Sequence, residues 1–388
     1  MLAGRLPALA FLLPSWLAAA ADVCLVAPFA NRSGNAELDW IGESLSETIR
    51  DALRREGLAA VKREEREEAR RRLTSRPTSA LTAASLAKLA DAVEAACLIY
   101  GRYDLIPSQN PAAVSRGSLR ITARILDRRR VRLEPEFAEI GALEDLATLQ
   151  TEIAWQVLHS LVAGKAPARE DFLRRRPPVR VDAIESYVRG LLSSSREQRH
   201  RWFAQAARLD PRYSPPCFEL GRLQWEAKNY SVAAGWLERV DAGDPNSMEA
   251  GFLLGLCRYQ MGDYEGARKA FQLVADTLPS AEVLCNLGAA QSRLNLPQAL
   301  ENLRKALGND PGDPDYHFNT GYLLWKKGEF AEAADSFRAA LDRKPDDQSA
   351  ILLLGRCLKK SGPRPGEHRL EGLERLKDSW EPAPPGGR

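Results

Sequence analysis

Apolar positions along the chain change period more than once. Val23-Cys24-Leu25-Val26-Ala27-Pro28-Phe29 is a continuous apolar run of strand length, which suits a strand covered on both faces. Leu38, Ile41, Leu45, Ile49 and Ala52 then recur at three and four residues with Glu and Arg between them. Gly57 stands where such a helix would stop, so the spacing predicts an amphipathic helix lying on a sheet. Leu58 to Val61 reads as a short strand, and KREEREEARRRL after it as a charged helix whose Glu67–Arg71 and Glu68–Arg72 spacings suit a solvated face. A helix over Ala83 to Glu94 precedes an apolar strand from Cys97 to Tyr103. Leu119, Ile121, Ala123 and Ile125, then Val131, Leu133 and Phe137, alternate with charged or polar residues, the pattern of a half-exposed hairpin. Leu143, Leu146, Leu149, Ile153, Val157 and Leu161 mark a long helix that closes this first domain, residues 22–164.

A Pro- and Arg-rich stretch predicts a linker over 165–181. Beyond it a longer beat takes over. Gly221, Gly255, Gly288, Gly321 and Gly355 are spaced by 34, 33, 33 and 34 residues, and Pro211, Pro245, Pro279, Pro311 and Pro345 by 34, 34, 32 and 34. Ala233, Ala267, Ala299 and Ala333 follow the same rhythm. Glycine inside a helix costs up to about 1 kcal/mol relative to alanine, so its recurrence predicts a close approach by a neighbouring helix. Each proline ends its repeat, because its ring cannot continue the helical hydrogen bonds. The helical region is expected over 182–362, with a degenerate first repeat, a capping helix from Gln348, and a local distortion at SRLNLPQAL, where the inter-helix turn is one residue short. Residues 363–388 read as a mobile tail.

Two resemblances give these halves a frame. GYLLWKKGEFAEAADSFRAALDRKP, residues 321–345, resembles tetratricopeptide repeats, which implies stacked helix pairs and a concave face that takes extended or helical segments of partner proteins. The apolar strand ending in Pro-Phe, the Asn-containing turn, Ile-Gly-Glu-Ser-Leu, Tyr-Gly-Arg-Tyr, and the hairpin reaching Leu126-Asp127 together resemble the TolB amino-terminal-domain-like proteins. That resemblance implies an envelope module that makes protein contacts, with no catalytic residues to carry over. Its usual Thr-Gly hairpin turn is replaced here by Arg128-Arg129-Arg130, which leaves the strand register open. The expected fold class is therefore multidomain: a mixed α/β sheet with packed helices, then an all-α solenoid.

One stripe on the first helix of each repeat stands out: Phe218, Arg222 and Trp225; Phe252 and Tyr259; Phe318, Tyr322 and Trp325, with Arg293 and Lys326 beside them. Residues three and four apart share a helix face. The stripe is either a partner-binding groove or filler between helices, and the sequence leaves both open. Cys285, Ala289 and Ser292 are small at the corresponding places and predict a pocket.

Charge and chemistry narrow the picture. With 55 basic and 52 acidic residues the net charge is +3, so no global field draws the protein to nucleic acid. The turn Asn31-Arg32-Ser33-Gly34-Asn35 is no phosphate loop: Pro28 lacks an amide hydrogen and neither GK[ST] nor GxGxxG follows. The 4 His have no nucleophile or carboxylate partner at a catalytic spacing, and the 6 Cys have no zinc spacing, so neither an enzyme nor a cofactor or metal is expected. Leu6 to Leu17 followed by Ala18-Ala19-Ala20-Ala21 reads as a signal peptide over 1–21, cleaved after Ala20 or Ala21; an uncleaved anchor is its alternative, although the run is shorter than the roughly 20 apolar residues of a membrane-spanning helix. Export would put the cysteines in an oxidising space, where Cys24 and Cys97 are either bridged, if their strands are neighbours, or buried as small hydrophobes. The reading is an exported, non-enzymatic adaptor of the bacterial envelope or periplasm that binds proteins or peptides. Activation of an envelope enzyme such as a cell-wall synthase, or a part in a curli-like secretion assembly, are its alternatives.

Overall fold

A computed structural model describes residues 23–73, 82–106, 118–162, 164–363 and 373–379. The expected signal peptide lies outside the described residues.

Strand β1 (Cys24–Val26) pairs parallel with β3 (Cys97–Ile106), setting Cys24 opposite Cys97. The short β2 (Ala30–Asn31) continues that parallel edge. β3 runs antiparallel to β4 (Ser118–Asp127) along its whole length, and β4 pairs in turn with β5 (Arg132–Leu133) and β6 (Phe137–Ala142). The unbroken apolar run at β1 has the reason its composition suggests. Cys24 and Val26 enter a core with helices α1 (Trp40–Arg55) and α4 (Leu146–Leu161). Leu25 and Ala27 face the opposite way, against Ala69 of α2 (Arg63–Leu73) and Leu86, Leu89 and Ala90 of α3 (Ala83–Ala92).

Two local expectations are corrected. Leu58 to Val61 forms a single parallel bridge, Cys24 to Ala60, rather than a strand. The hairpin forms, with Arg132 and Leu133 of β5 opposite Asp127 and Leu126 of β4, but Val131 belongs to its turn and not to its strand: it takes a left-handed φ of 51° and is 84% exposed. Arg128, bound to Asp91 and to the Ala95 carbonyl, starts this turn; β5 then pairs with β4, and the return strand is interrupted at Pro135, which has no amide hydrogen, before β6 takes over at Phe137.

The polar turn after β1 is structural. Asn31 Nδ2 donates to Asp39 Oδ1 at 2.7 Å, its Oδ1 accepts from the Ser33 amide at 2.9 Å, and Asn35 Oδ1 accepts from Glu37 N at 2.9 Å. Behind it the buried Arg66 donates to Ser46 Oγ at 2.8 Å and to the Val26 carbonyl at 3.3 Å, and pairs with Glu43. These bonds tie α2 and α1 to β1.

The expected linker is instead part of the packing. It contains helix α5 (Arg169–Arg174), whose Phe172 is fully buried beneath the Arg176 guanidinium, 3.7 Å from the ring centre. Helices α6 (Val181–Leu192), α7 (Arg196–Leu209) and α8 (Pro215–Glu226) place Tyr187, Phe203 and Leu220 in the core that holds α1 and α4. Arg54 of α1 also reaches Asn246 Oδ1 at 3.0 Å. The two halves thus share one hydrophobic interior.

The repeats follow as α8 with α9 (Tyr230–Leu237), α10 (Ser247–Gln260) with α11 (Tyr264–Thr277), α12 (Ala281–Arg293) with α13 (Ala299–Asn309), and α14 (Pro314–Lys327) with α15 (Phe330–Arg343). α16 (Gln348–Leu358) caps them. The glycine beat has the expected cause. A Cβ on Gly255 would come within 2.6 Å of Phe271, whereas one on Gly355, in the capping helix, would meet nothing within 4 Å. The short turn keeps the left-handed residue of the other repeats, Asn295 at a φ of 55° like Lys228, Gly262 and Gly328, and the difference lies in α13, which has 11 residues against 14 in α11 and α15. All six cysteines are buried.

Candidate peptide-binding groove

The first helices α12 and α14 and the start of α16 form a surface, and on it lies the chain's own segment Leu373-Glu374-Arg375-Leu376-Lys377-Asp378-Ser379, without helix or strand structure of its own. Here the expectation of a mobile tail from residue 363 is corrected for this stretch: residues 373–377 are held by charge, hydrogen bonds and apolar contact, while Asp378 and Ser379 are exposed.

Two asparagines grip the backbone. Asn319 donates Nδ2 to the Arg375 carbonyl at 2.7 Å while its Oδ1 accepts from the Arg375 amide at 2.8 Å. Asn286 does the same for Lys377, at 2.8 Å in each direction. Asn286 and Asn319 occupy the same place on α12 and α14, each two residues before the repeat glycine, so stacking of repeats brings them into line. Alternate residues of an extended chain lie roughly 6.6–6.8 Å apart and present the same edge. One side-chain amide per repeat therefore meets every second residue, and the segment runs opposite to the order of the repeats. Both asparagines are buried, and an unpaired buried amide costs about 1–3 kcal/mol. That burial is the one with the segment in place, so the four backbone bonds are what keep both amides satisfied in the filled groove.

Side chains of the segment enter separate chemical environments. Glu374, 1% exposed, pairs with Arg293 Nε at 2.8 Å and Lys326 Nζ at 3.4 Å, and accepts from Ser292 Oγ at 3.0 Å. Arg375 grips Asp347 with two nitrogens, at 2.6 and 2.8 Å, and Asp315 at 3.0 Å, with its guanidinium 3.6 Å above the Phe318 ring. Lys377 Nζ lies 2.7 Å from both Asp313 and Asp315 and 5.2 Å from the Tyr316 ring. Leu376 packs against the core of the middle repeats and Leu373 against that of the last. The hydrogen bonds from Arg375 hold Asp347 below the ordinary carboxylate value. Burial would raise Asp315, but Lys377 and Arg375 together outweigh it and leave that carboxyl lowered too.

The residues singled out in the sequence divide between this groove and the interior. Arg293, Lys326 and Phe318 touch the segment, and Tyr259 supports it by accepting from Arg293 Nε at 3.2 Å. Phe218, Phe252, Tyr322 and Trp325 are buried: Phe252 meets Phe271 edge-on, and Trp325 donates to the Ser361 carbonyl at 2.7 Å beyond α16. Trp225 is half-buried, and Arg222 pairs with Glu219 at 2.8 Å and faces Glu64 of the first domain at 3.8 Å. The predicted pocket of small side chains is where the segment sits, with Ser292 bonded to Glu374 and Cys285 Sγ 3.9 Å from the Arg375 carbonyl. Asn286, Asn319, Asp313, Asp315 and Asp347 were not read as site residues. Their signal was present as Asn-x-Gly at 286–288 and 319–321, and as an aspartate two residues after each of two repeat prolines, Asp313 after Pro311 and Asp347 after Pro345. Among the described residues no helix is long and apolar enough to cross a membrane, and no group of His, Cys, Asp and Glu is arranged to hold a metal.

Comparison with known proteins agrees with the repeat geometry. The Tetratricopeptide repeat family profile matches residues 218–282 and 289–348. Bacteriophage adsorption protein A of Escherichia coli (strain K12) is 28% identical over 136 residues, covering 33% of this chain, and the CTR9 homolog of Arabidopsis thaliana 26% over 147 residues, covering 37%. The chain spans only 14% and 13% of those two relatives. Among solved structures, YrrB, described as a TPR protein with an unusual peptide-binding site, is similar at 20% identity over 44% of this chain and 87% of its own, with a TM-score of 0.36. PilF of Pseudomonas aeruginosa is similar at 21% identity over 42% of this chain and 76% of its own, with a TM-score of 0.37. The segments 218–282 and 289–348 are tetratricopeptide repeats, a fold that binds proteins or peptides.

Proposed function

We propose that the protein is a non-enzymatic adaptor, exported to the bacterial envelope, whose repeat groove takes extended segments of partner proteins. One observation carries the reading: two buried asparagines, a repeat apart, each hold both backbone groups of alternate residues in an extended segment. Such contacts read backbone, so they serve any ligand whose side chains suit the flanking charges. The envelope setting rests on the signal-peptide pattern at 1–21 and on the likeness of the first domain to TolB amino-terminal-domain-like proteins, whose contacts are with other proteins. The shared interior between the halves fits a scaffold that presents two surfaces at a fixed angle.

The test is an array of extended peptides of varied charge, probed with the full chain carrying Arg375→Glu and Lys377→Glu to empty the groove. Binding that disappears on adding Asn286→Ala and Asn319→Ala supports the adaptor reading, and an array with no bound peptide contradicts it. Amino-terminal sequencing of the protein from envelope fractions tests export: a start at residue 21 or 22 supports a cleaved signal peptide, an intact Met1 supports the anchor, and absence of the protein from those fractions opposes export.

A further inference from the structure

The segment 373–379 also specifies what the groove prefers, and this inference rests on the reading of the groove as a peptide site. We propose that the external ligand is an extended segment bearing, in order, a carboxylate, a cation, an apolar residue and a second cation, and that residues 374–377 of this chain are its built-in competitor.

The order follows from four environments along α12 to α16. Ser292, Arg293 and Lys326 surround a carboxylate that is almost wholly removed from water. A cation placed there would meet two like charges, so this position selects by repulsion as well as attraction. The next residue faces the pair Asp315 and Asp347 over the Phe318 ring, which suits the planar fork of arginine. The third side chain, Leu376, turns to the apolar interior of the middle repeats. The fourth meets Asp313 and Asp315, a site for the compact charge of lysine. The two asparagines fix direction and register, so a ligand with these residues in the reverse order would present its carboxylate to the aspartates.

Competition follows from connectivity. Residue 373 is only ten positions beyond Pro363, which follows the capping helix. A segment tethered so closely acts at an effective concentration of roughly millimolar. A partner at about micromolar concentration must therefore bind far better than the tail or arrive together with something that weakens it.

The experiment uses a fluorescein-labelled peptide with the sequence of residues 371–380, titrated by anisotropy into the full chain, the full chain with Arg375→Glu and Lys377→Glu, and the full chain with Glu374→Lys as a second way of releasing the tail. Circular dichroism confirms folding of each. Binding at least tenfold tighter to both released chains than to the unaltered one, abolished in a peptide with the charges at the positions of Glu374, Arg375 and Lys377 reversed, is the expected result. Equal affinity for released and unaltered chains overturns the competitor. If the released groove ignores this peptide but binds array peptides of other charge patterns, the ligand pattern is wrong while the adaptor reading stands; if it binds no peptide at all, both fail.

Discussion

Asn319 stands one repeat, 33 residues, beyond Asn286, and the two hold backbone groups of Arg375 and Lys377, residues two apart in the segment. A helical period is thereby matched to an extended one. Each asparagine makes two hydrogen bonds, so the pair contributes about 4 kcal/mol to docking, at about 1 kcal/mol per bond.

Trypsin reads that contribution directly, because the segment carries its cleavage sites at Arg375 and Lys377. Replacing both asparagines by alanine is expected to raise the rate of cleavage after these residues at least tenfold under native conditions, with little change in the unfolding midpoint. An unchanged rate opposes the role given to the asparagines.

Docking depends on pH with a defined sign. Asp315 and Asp347 lie below their ordinary value of 3.8 when paired with Arg375 and Lys377, so they favour the docked state while ionised. Their contribution is complete above that value and is lost as pH falls through the lowered ones. A dye on Ser379→Cys should show constant anisotropy between about pH 5 and pH 8 and a fall only below about pH 4, and Asp347→Asn should lower the plateau. A transition near neutrality contradicts this assignment.

Much of the repeat half was legible because its constraint is periodic. Gly255 sits against Phe271, so its spacing to the next glycine carries the stacking distance of helix pairs into the sequence. The tail was not legible. Leu373 to Ser379 has no period, lies among Pro- and Gly-rich residues, and is fixed by partners 28 to 91 positions away, from Asp347 to Asn286. The aromatic stripe was ambiguous for a related reason: Phe252 and Phe318 both meet a second-helix ring edge-on, Phe271 and Phe337, and only Phe318 also has Arg375 stacked on it. In the first domain the apolar run of β1 foretold a strand covered on both faces, whereas Phe172 inside a Pro- and Arg-rich stretch gave no periodic sign that it was core.

The glycine beat makes opposite predictions at two positions. Gly255→Val should destabilise by about 1–3 kcal/mol, since Phe271 must move. Gly355→Ala should stabilise by up to about 1 kcal/mol, because nothing opposes the better helix former. Denaturant midpoints of the two variants check this, and a loss at Gly355 contradicts it.

Phe172→Ala should cost about 3–5 kcal/mol, the value for a large buried side chain, although it lies in a stretch whose composition suggests a linker. The same denaturation measurement decides: a change within about 0.5 kcal/mol, as for a surface substitution, means the halves do not share that interior.

Hydrogen exchange of the full chain, resolved to single amides of residues 373–379, tests the central claim most directly. Arg375 and Lys377 amides that exchange at least tenfold more slowly than an unstructured peptide of the same sequence, and return to the unstructured rate in the Asn286→Ala, Asn319→Ala chain, are the predicted result. Unprotected amides at both positions in the unaltered chain contradict it.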